Sequence, residues 1–279
     1  MTVDAPAPAP APAPNASPAP GPDAGAAPAA GGPPHPRSRS GDPLGIVLLD
    51  AEHYVETLDW DDPTAWVPPA GLGPGFLSHP AYWSLPAVFA VARGATSEAA
   101  AERRPEAIRG VVEAVRRLDG RCRMIVGTCG HFVDAWAALE PRPRTPTILS
   151  ALDVLPDALR WSGRDVLVLT MTTESGRRSM AGTPGATRVR VLGMDGAGDW
   201  ERVDRPDWVH HREWTEQGLE RGLREVLDRE RGTGGALDDV GCVLLVCTIL
   251  PQFTTVIREY TDAPIVHVGG LVEALLSAS

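Results

Sequence analysis

"RMIVGTCGHFVDAWAAL", residues 123–139, passes from a short apolar run into a segment of helical character, with Cys129 at the join. An apolar run of that length reads as a strand buried on both faces. "GCVLLVCTILPQFTTVIREY", residues 241–260, has the same form: an apolar run, then Cys247, then a helical stretch. The strand reading extends to "LGIVLL" (44–49), "PTILSA" (146–151), "DVLVLT" (165–170), "TRVRVLGM" (187–194) and "PIVHV" (264–268). Between them, "RRPEAIRGVVEAVRRL" (103–118) places apolar residues three and four apart, with Pro105 suited to a first helical turn. "EWTEQGLERGLREVLDRE" (213–230) and "GLVEALLSA" (270–278) are further helix candidates. Strands alternating with helices predict a doubly wound α/β protein with parallel sheets.

In such a fold ligands bind where strands end and helices begin. Cys129 and Cys247 both stand at such junctions. The unpaired amides of a helix start favour an anion and lower the pKa of a thiol. Two thiols on opposite faces of one carbon suit inversion: one takes the Cα proton, the other returns a proton from the far side. A substrate carboxylate on the helix starts would share the developing charge. Cys122 lies just before one strand and Cys242 within another, so both read as buried structural thiols.

Composition narrows the chemistry. The net charge of −10 argues against nucleic acid and anionic membrane as partners. All 26 basic residues are arginine, so no lysine is present to form a Schiff base or a Walker-type phosphate loop. Chemistry on an amino acid would then run without pyridoxal phosphate, and no cofactor is expected. No C-x-x-C pair occurs, and His210 and His211 are adjacent rather than at ligand spacing, so no metal site is expected. Residues 1–43, rich in Ala and Pro, hold little to bury and read as a disordered tail. That tail has neither the basic start nor the apolar middle of a signal peptide, and no apolar stretch is long enough to span a membrane. The expectation is a cytoplasmic protein acting on a small carboxylate-containing substrate; assembly into a homo-oligomer is left open.

Several motifs resemble the aspartate/glutamate/hydantoin racemase superfamily, closest to its uncharacterised "aspartate/glutamate racemase family" branch. "GIVLLD" looks like the opening strand of that group, and "LSHPAYWSLPAVFAVARGAT" like its aromatic "FPV…GAT" stretch. "GTCGHF" is similar to "TSCGF", and "LLVCTILPQF" to "LECTNLP". The resemblance implies two pseudo-symmetric doubly wound lobes with the active site in the cleft between them. Lobe 1 would comprise 44–152 plus 265–279, and lobe 2 would comprise 153–264. It implies Cys129 and Cys247 as the acid/base pair of a cofactor-independent racemase or epimerase. Thr128, Gly130 and Thr248 would offer groups to a carboxylate. A maleate cis–trans isomerase-like or arylmalonate decarboxylase-like enzyme, and a non-catalytic small-acid-binding protein, are the alternatives on that scaffold.

Further residues have two readings each. Asp50, closing the first strand, either binds substrate or caps a loop. Thr170, Thr172 and Thr173 either hold a carboxylate or cap a helix. His131 either acts as a cation beside Cys129 or points away. Trp60, Trp66 and Trp83 in the long 51–86 loop either line the pocket or pack that loop. Ile249 replaces a histidine, Gly130 an asparagine and His267 an aspartate common in relatives. At Gly130-His131 a difference in substrate preference is expected.

Overall fold

The computed structural model describes residues 42–51, 54, 56–58, 73–181, 183–203 and 214–278. The tail expected over 1–43 therefore lies almost wholly outside the described residues, as do Trp60, Trp66 and His210-His211.

Eight parallel strands among the described residues form two sheets of four. The first holds β1 (Leu44–Leu48), β2 (Ala87–Val91), β3 (Met124–Gly127) and β4 (Thr147–Ile148), in the order β2-β1-β3-β4. The second holds β5 (Asp165–Thr170), β6 (Val189–Gly193), β7 (Val240–Leu245) and β8 (Ile265–His267), in the order β6-β5-β7-β8. The two orders are the same, so the doubly wound, pseudo-symmetric two-lobe arrangement expected from the sequence is present. Each sheet reverses direction of growth beside its first strand, and that reversal opens a crevice at the strand C-termini.

The strand sequences explain the layering, because successive side chains point to opposite faces. In β1, Leu44, Ile46 and Leu48 join a core that continues into the second sheet, while Val47 faces the opposite way. Val47 packs with Val88, Ile125 and the apolar stripe of helix α2 (Pro105–Leu118), including Val111, Val115 and Leu118. Both faces are covered, which is why the strands read as continuous rather than alternating apolar runs. The helix α6 (Glu216–Arg229) covers the second sheet in the same manner with Leu219, Leu223, Val226 and Leu227. Its N-cap is Thr215, whose oxygen accepts from the Gly218 amide at 2.9 Å.

Two features differ from the sequence reading. β2, "AVFAV", is wholly buried, yet its position after a Pro-rich stretch hid it among loop signals. Ile265–His267, expected in lobe 1, pairs with β7 in the second sheet. The short run "IVH" carries no mark of which sheet edge it will join, and the free edge of β7 takes it. Helix α8 (Val268–Ser277) then packs on β8 and reaches β3 of the first sheet.

Candidate active site

Cys129 is the second residue past β3, and Cys247 the second past β7, the third strand of each sheet. Asp50 and Thr172 hold the same relation to β1 and β5. All four residues line one cavity of about 330 Å³, together with Thr128, Gly130, His131, Thr170, Thr248 and Ile249. Thr173 and Trp83, also singled out in the sequence, do not line this cavity.

Two contacts draw the cysteine junctions together. The Thr248 hydroxyl donates to the Thr128 carbonyl at 3.0 Å, across 120 residues of chain. Gly130 lies against Val246 so closely that an added Cβ would stand 2.0 Å from Val246 Cγ1 and 2.9 Å from its carbonyl oxygen. Glycine at 130 is thus a matter of space: only a residue without Cβ lets the Cys129 turn reach the strand end before Cys247. Gly130 also lines the cavity, so this packing role stands beside the backbone contact expected of it. Cys129 is also the N-cap of a 3-10 helix, Gly130–Ala138, and its own side chain makes no capping hydrogen bond there.

The hydroxyls expected to bind substrate are largely engaged by the protein. Thr128 donates to the Val47 carbonyl at 2.9 Å, tying β3 to β1. Thr172 is the N-cap of α4 (Thr173–Met180): its oxygen accepts from the Ser175 amide at 3.3 Å, and its hydroxyl is 2.7 Å from that of Ser175. Thr173 donates through amide and hydroxyl to Asp195. Thr170 is buried at the end of β5 against Gly176. Asp50 accepts from the Gly94 amide at 2.7 Å and from Arg93 at 3.3 Å, so its carboxylate holds a loop at the cavity edge. Asp50 and Thr172 thus hold local backbone while also lining the cavity, whereas Thr173 binds Asp195 and does not line it.

His131 also takes its quieter role. Its Nδ1 is 2.6 Å from the Ser179 hydroxyl on α4. Burial, with Arg103 and Arg178 nearby, pushes its pKa down to about 4, so the ring is neutral near pH 7 and supplies no cation to Cys129. His267 is the N-cap of α8 and binds the Gly270 amide through Nδ1 at 3.0 Å. Cys122 and Cys242 are buried; desolvation pushes the first thiol up to about 12 and raises the second. Trp83 packs in the core and donates to the Leu77 carbonyl at 2.9 Å, so it serves the loop rather than the cavity.

Sequence reasoning missed Tyr54, Ser78 and Arg178. Tyr54 and Ser78 come from the two ends of the long loop and line the cavity with their oxygens 3.0 Å apart. The phenol is pushed up to about 12: burial is the main cause, the Ser78 hydrogen bond opposes it, and charge on Cys129 adds to it. Arg178 enters from α4, bound to Glu174 at 2.7 Å and to the Ala101 carbonyl at 3.3 Å. The remaining acidic residues of the cavity mouth are also partnered, Glu98 and Glu102 by Arg104. Phe76, Met171, Val203 and Ile249 give the wall an apolar side. None of these residues sits in a spacing pattern; the fold alone brings them together. Among the described residues no group of three His, Cys, Asp or Glu side chains could hold a metal ion, and no helix is long and apolar enough to cross a membrane.

The sequence matches no family model. It is 24% identical over 180 residues to dimethylsulfoniopropionate lyase 5 of Emiliania huxleyi, a match spanning 60% of this chain and 36% of the longer relative. Among solved structures, Picrophilus torridus aspartate racemase is 13% identical, with a TM-score of 0.46 over 84% of this chain and 92% of that one. Francisella tularensis glutamate racemase, solved with D-glutamate, is 12% identical, with a TM-score of 0.44 over 86% and 82% of the two chains. Unliganded arylmalonate decarboxylase is 16% identical, with a TM-score of 0.44 over 85% and 93%. In its paired cysteine motifs and its two-lobed parallel α/β fold, the chain resembles the aspartate/glutamate/hydantoin racemase superfamily.

Proposed function

We propose that the protein is a cofactor-independent enzyme that removes and returns the Cα proton of a small carboxylate, with Cys129 and Cys247 as its acid/base pair. The observation that carries the reading is the junction itself: two thiols at equivalent strand ends, lining one cavity and linked by the Thr248–Thr128 hydrogen bond. A thiolate facing the α-carbon takes its proton, and the carboxylate becomes an enediolate. The first amides of the Gly130–Ala138 helix would share that charge. Return of a proton from the opposite thiol inverts the centre, giving a racemase or epimerase.

Deuterium wash-in from heavy water across chiral carboxylates and hydantoins tests this reading. Interconversion of enantiomers with uptake of solvent deuterium is expected in the wild type. It should vanish in Cys129→Ser and in Cys247→Ser alike. Interconversion surviving either change would sink the two-base mechanism.

A lyase is the second reading, favoured by the relatedness to dimethylsulfoniopropionate lyase 5 and by the apolar wall around Ile249. Elimination begins with the same proton abstraction. The C–H electron pair then forms the C=C bond as a sulfide leaves from Cβ with the C–S pair, so one thiol suffices. Release of dimethyl sulfide from dimethylsulfoniopropionate, abolished by only one of the two cysteine changes, would favour this reading over the racemase.

A further inference from the structure

The wall of the cavity divides by chemistry, and the division follows the elements that build it. Phe76 and Leu77 of the long loop, Met171 after β5, Val203, and Val246 and Ile249 around the Cys247 turn make an apolar half. All six belong to, or pack against, one buried cluster, and Cys247 packs against the same cluster. Cys129 packs against the cluster beneath α2 instead, so the two thiols have unlike surroundings. Local contacts hold the apolar half in place. The Phe76 amide donates to the Gly73 carbonyl at 3.2 Å, and the Trp83 indole to the Leu77 carbonyl at 2.9 Å. The Met194 amide donates to the Met171 carbonyl at 2.9 Å. Phe76 meets Trp214 edge to face, with ring centroids 6.4 Å apart.

The other half is charged, and its charges are matched within the protein. Asp50, Glu98, Glu102 and Glu174 line it, and among the described lining residues Arg178 brings the one guanidinium. Glu174 holds that guanidinium at 2.7 Å and the Ala101 carbonyl at 3.3 Å, while Arg104 binds Glu98 and Glu102 at 2.9 and 2.7 Å. A substrate with a second carboxylate would have to compete with Glu174 for Arg178. It would also bring that charge towards the remaining carboxylates, and like charges brought together oppose binding. Against the apolar half the same carboxylate would lose its water and find no partner. An apolar group seated there gives up no hydrogen bonds and removes its own surface from water. The two halves act in one direction: the first rejects a second anion, and the second holds an uncharged group.

We propose that the cavity selects monocarboxylates whose α-carbon bears an uncharged apolar group, seated on Phe76, Met171, Val203 and Ile249, and that it discriminates against dicarboxylates. This rests on the carbon-acid reading of the cavity and deepens it by naming the substrate class. Ile249 and Met171 are its specificity-determining residues, since they flank the Cys247 turn and the end of β5, where the apolar half meets the reacting carbon.

Calorimetric titration of the full chain tests this with 4-methylpentanoate and succinate, which share a shape and differ in ending on an isopropyl group or a carboxylate. Propionate is the short acid common to both. Wild type should bind 4-methylpentanoate roughly tenfold or more tightly than either, the scale on which apolar pockets discriminate. Ile249→Val and Ile249→Thr separate polarity from volume, because valine and threonine differ by a hydroxyl at nearly equal size. The valine variant should keep the preference and the threonine variant should lose most of it. Met171→Gln, at a partly buried position, repeats the comparison, and thermal unfolding checks that each variant folds. Succinate bound as tightly as 4-methylpentanoate, no binding of 4-methylpentanoate by the wild type, or an unchanged preference in Ile249→Thr and Met171→Gln overturns the proposal. Deuterium wash-in on leucine and aspartate, a pair of the same matched shapes, separates the two readings. Faster exchange into aspartate overturns the selectivity and leaves the carbon-acid reading standing. Selective binding of 4-methylpentanoate by a protein that exchanges no Cα proton leaves the selectivity standing and overturns the carbon-acid reading.

Discussion

Gly130 shows how one residue can decide whether two motifs form one site. A methyl group at this position would overlap Val246 Cγ1, which lies on the strand end leading to Cys247. Gly130→Ala should destabilise the protein by about 1–3 kcal/mol, as overpacking does, and should part the two junctions. Denaturant unfolding measures the first effect. A fall in turnover larger than the stability loss explains measures the second. Thr248 acts on the same contact. Thr248→Val removes its donor and leaves the Thr128 carbonyl without that partner, so a cost of about 1–3 kcal/mol is expected in the same unfolding measurement.

At the scale of elements, a clasp closes one side of the cleft. Helix α1 (Ser97–Ala101) of the first lobe meets α4 of the second. Arg178 donates to the Ala101 carbonyl, and Arg103 donates to the Arg178 carbonyl, so each arginine binds the backbone of the other element. Arg103 adopts a left-handed backbone, φ 57°, which is uncommon outside glycine and is held here by these contacts. Its Nε also lies 3.0 Å from Asp134 on the helix that begins at Cys129. Burial raises the Asp134 pKa, with Arg103 acting against that rise. Asp134→Ala and Arg103→Ala should each be strongly destabilising, because each leaves a partly buried charge without its counter-charge. The double variant should cost clearly less than the sum of the two, which a double-mutant cycle by thermal or denaturant unfolding measures.

For the whole molecule, the joint between lobes makes stability depend on pH. His131 belongs to the Cys129 side and Ser179 to α4, so their hydrogen bond crosses the cleft. The folded pKa of His131 is about 4, against about 6.5 for an ordinary histidine. Below pH 6.5 the unfolded chain takes up a proton that the folded chain refuses, so stability falls as pH drops from about 6.5 to about 4 and then levels off. A shift of that size corresponds to about 3 kcal/mol over the window. His131→Asn, which keeps a polar atom near Nδ1 and does not titrate, should flatten the His131 part of the curve. Urea unfolding at a series of pH values would show it.

Much of this was legible in the chain. "RMIVGT" and "GCVLLV" announced buried strands because both faces of a covered parallel sheet must be apolar. Their shared ending in cysteine announced the junction where such sheets bind ligands. The absence of lysine limited the chemistry independently of shape. Other features depend on distances that no local pattern encodes. Tyr54 and Ser78 are 24 residues apart, and only loop closure brings their oxygens together. That Gly130 packs against Val246, far along the chain, could not be read from its neighbours in sequence. The strand "IVH" joined the second sheet because an edge was open there. Local sequence thus determined most of the strands and helices and which strand ends carry a cysteine, since burial and periodicity act over a few residues. Tertiary structure alone decided which hydroxyls cap helices and which line the cavity, because hydrogen-bond partners are chosen by proximity in space.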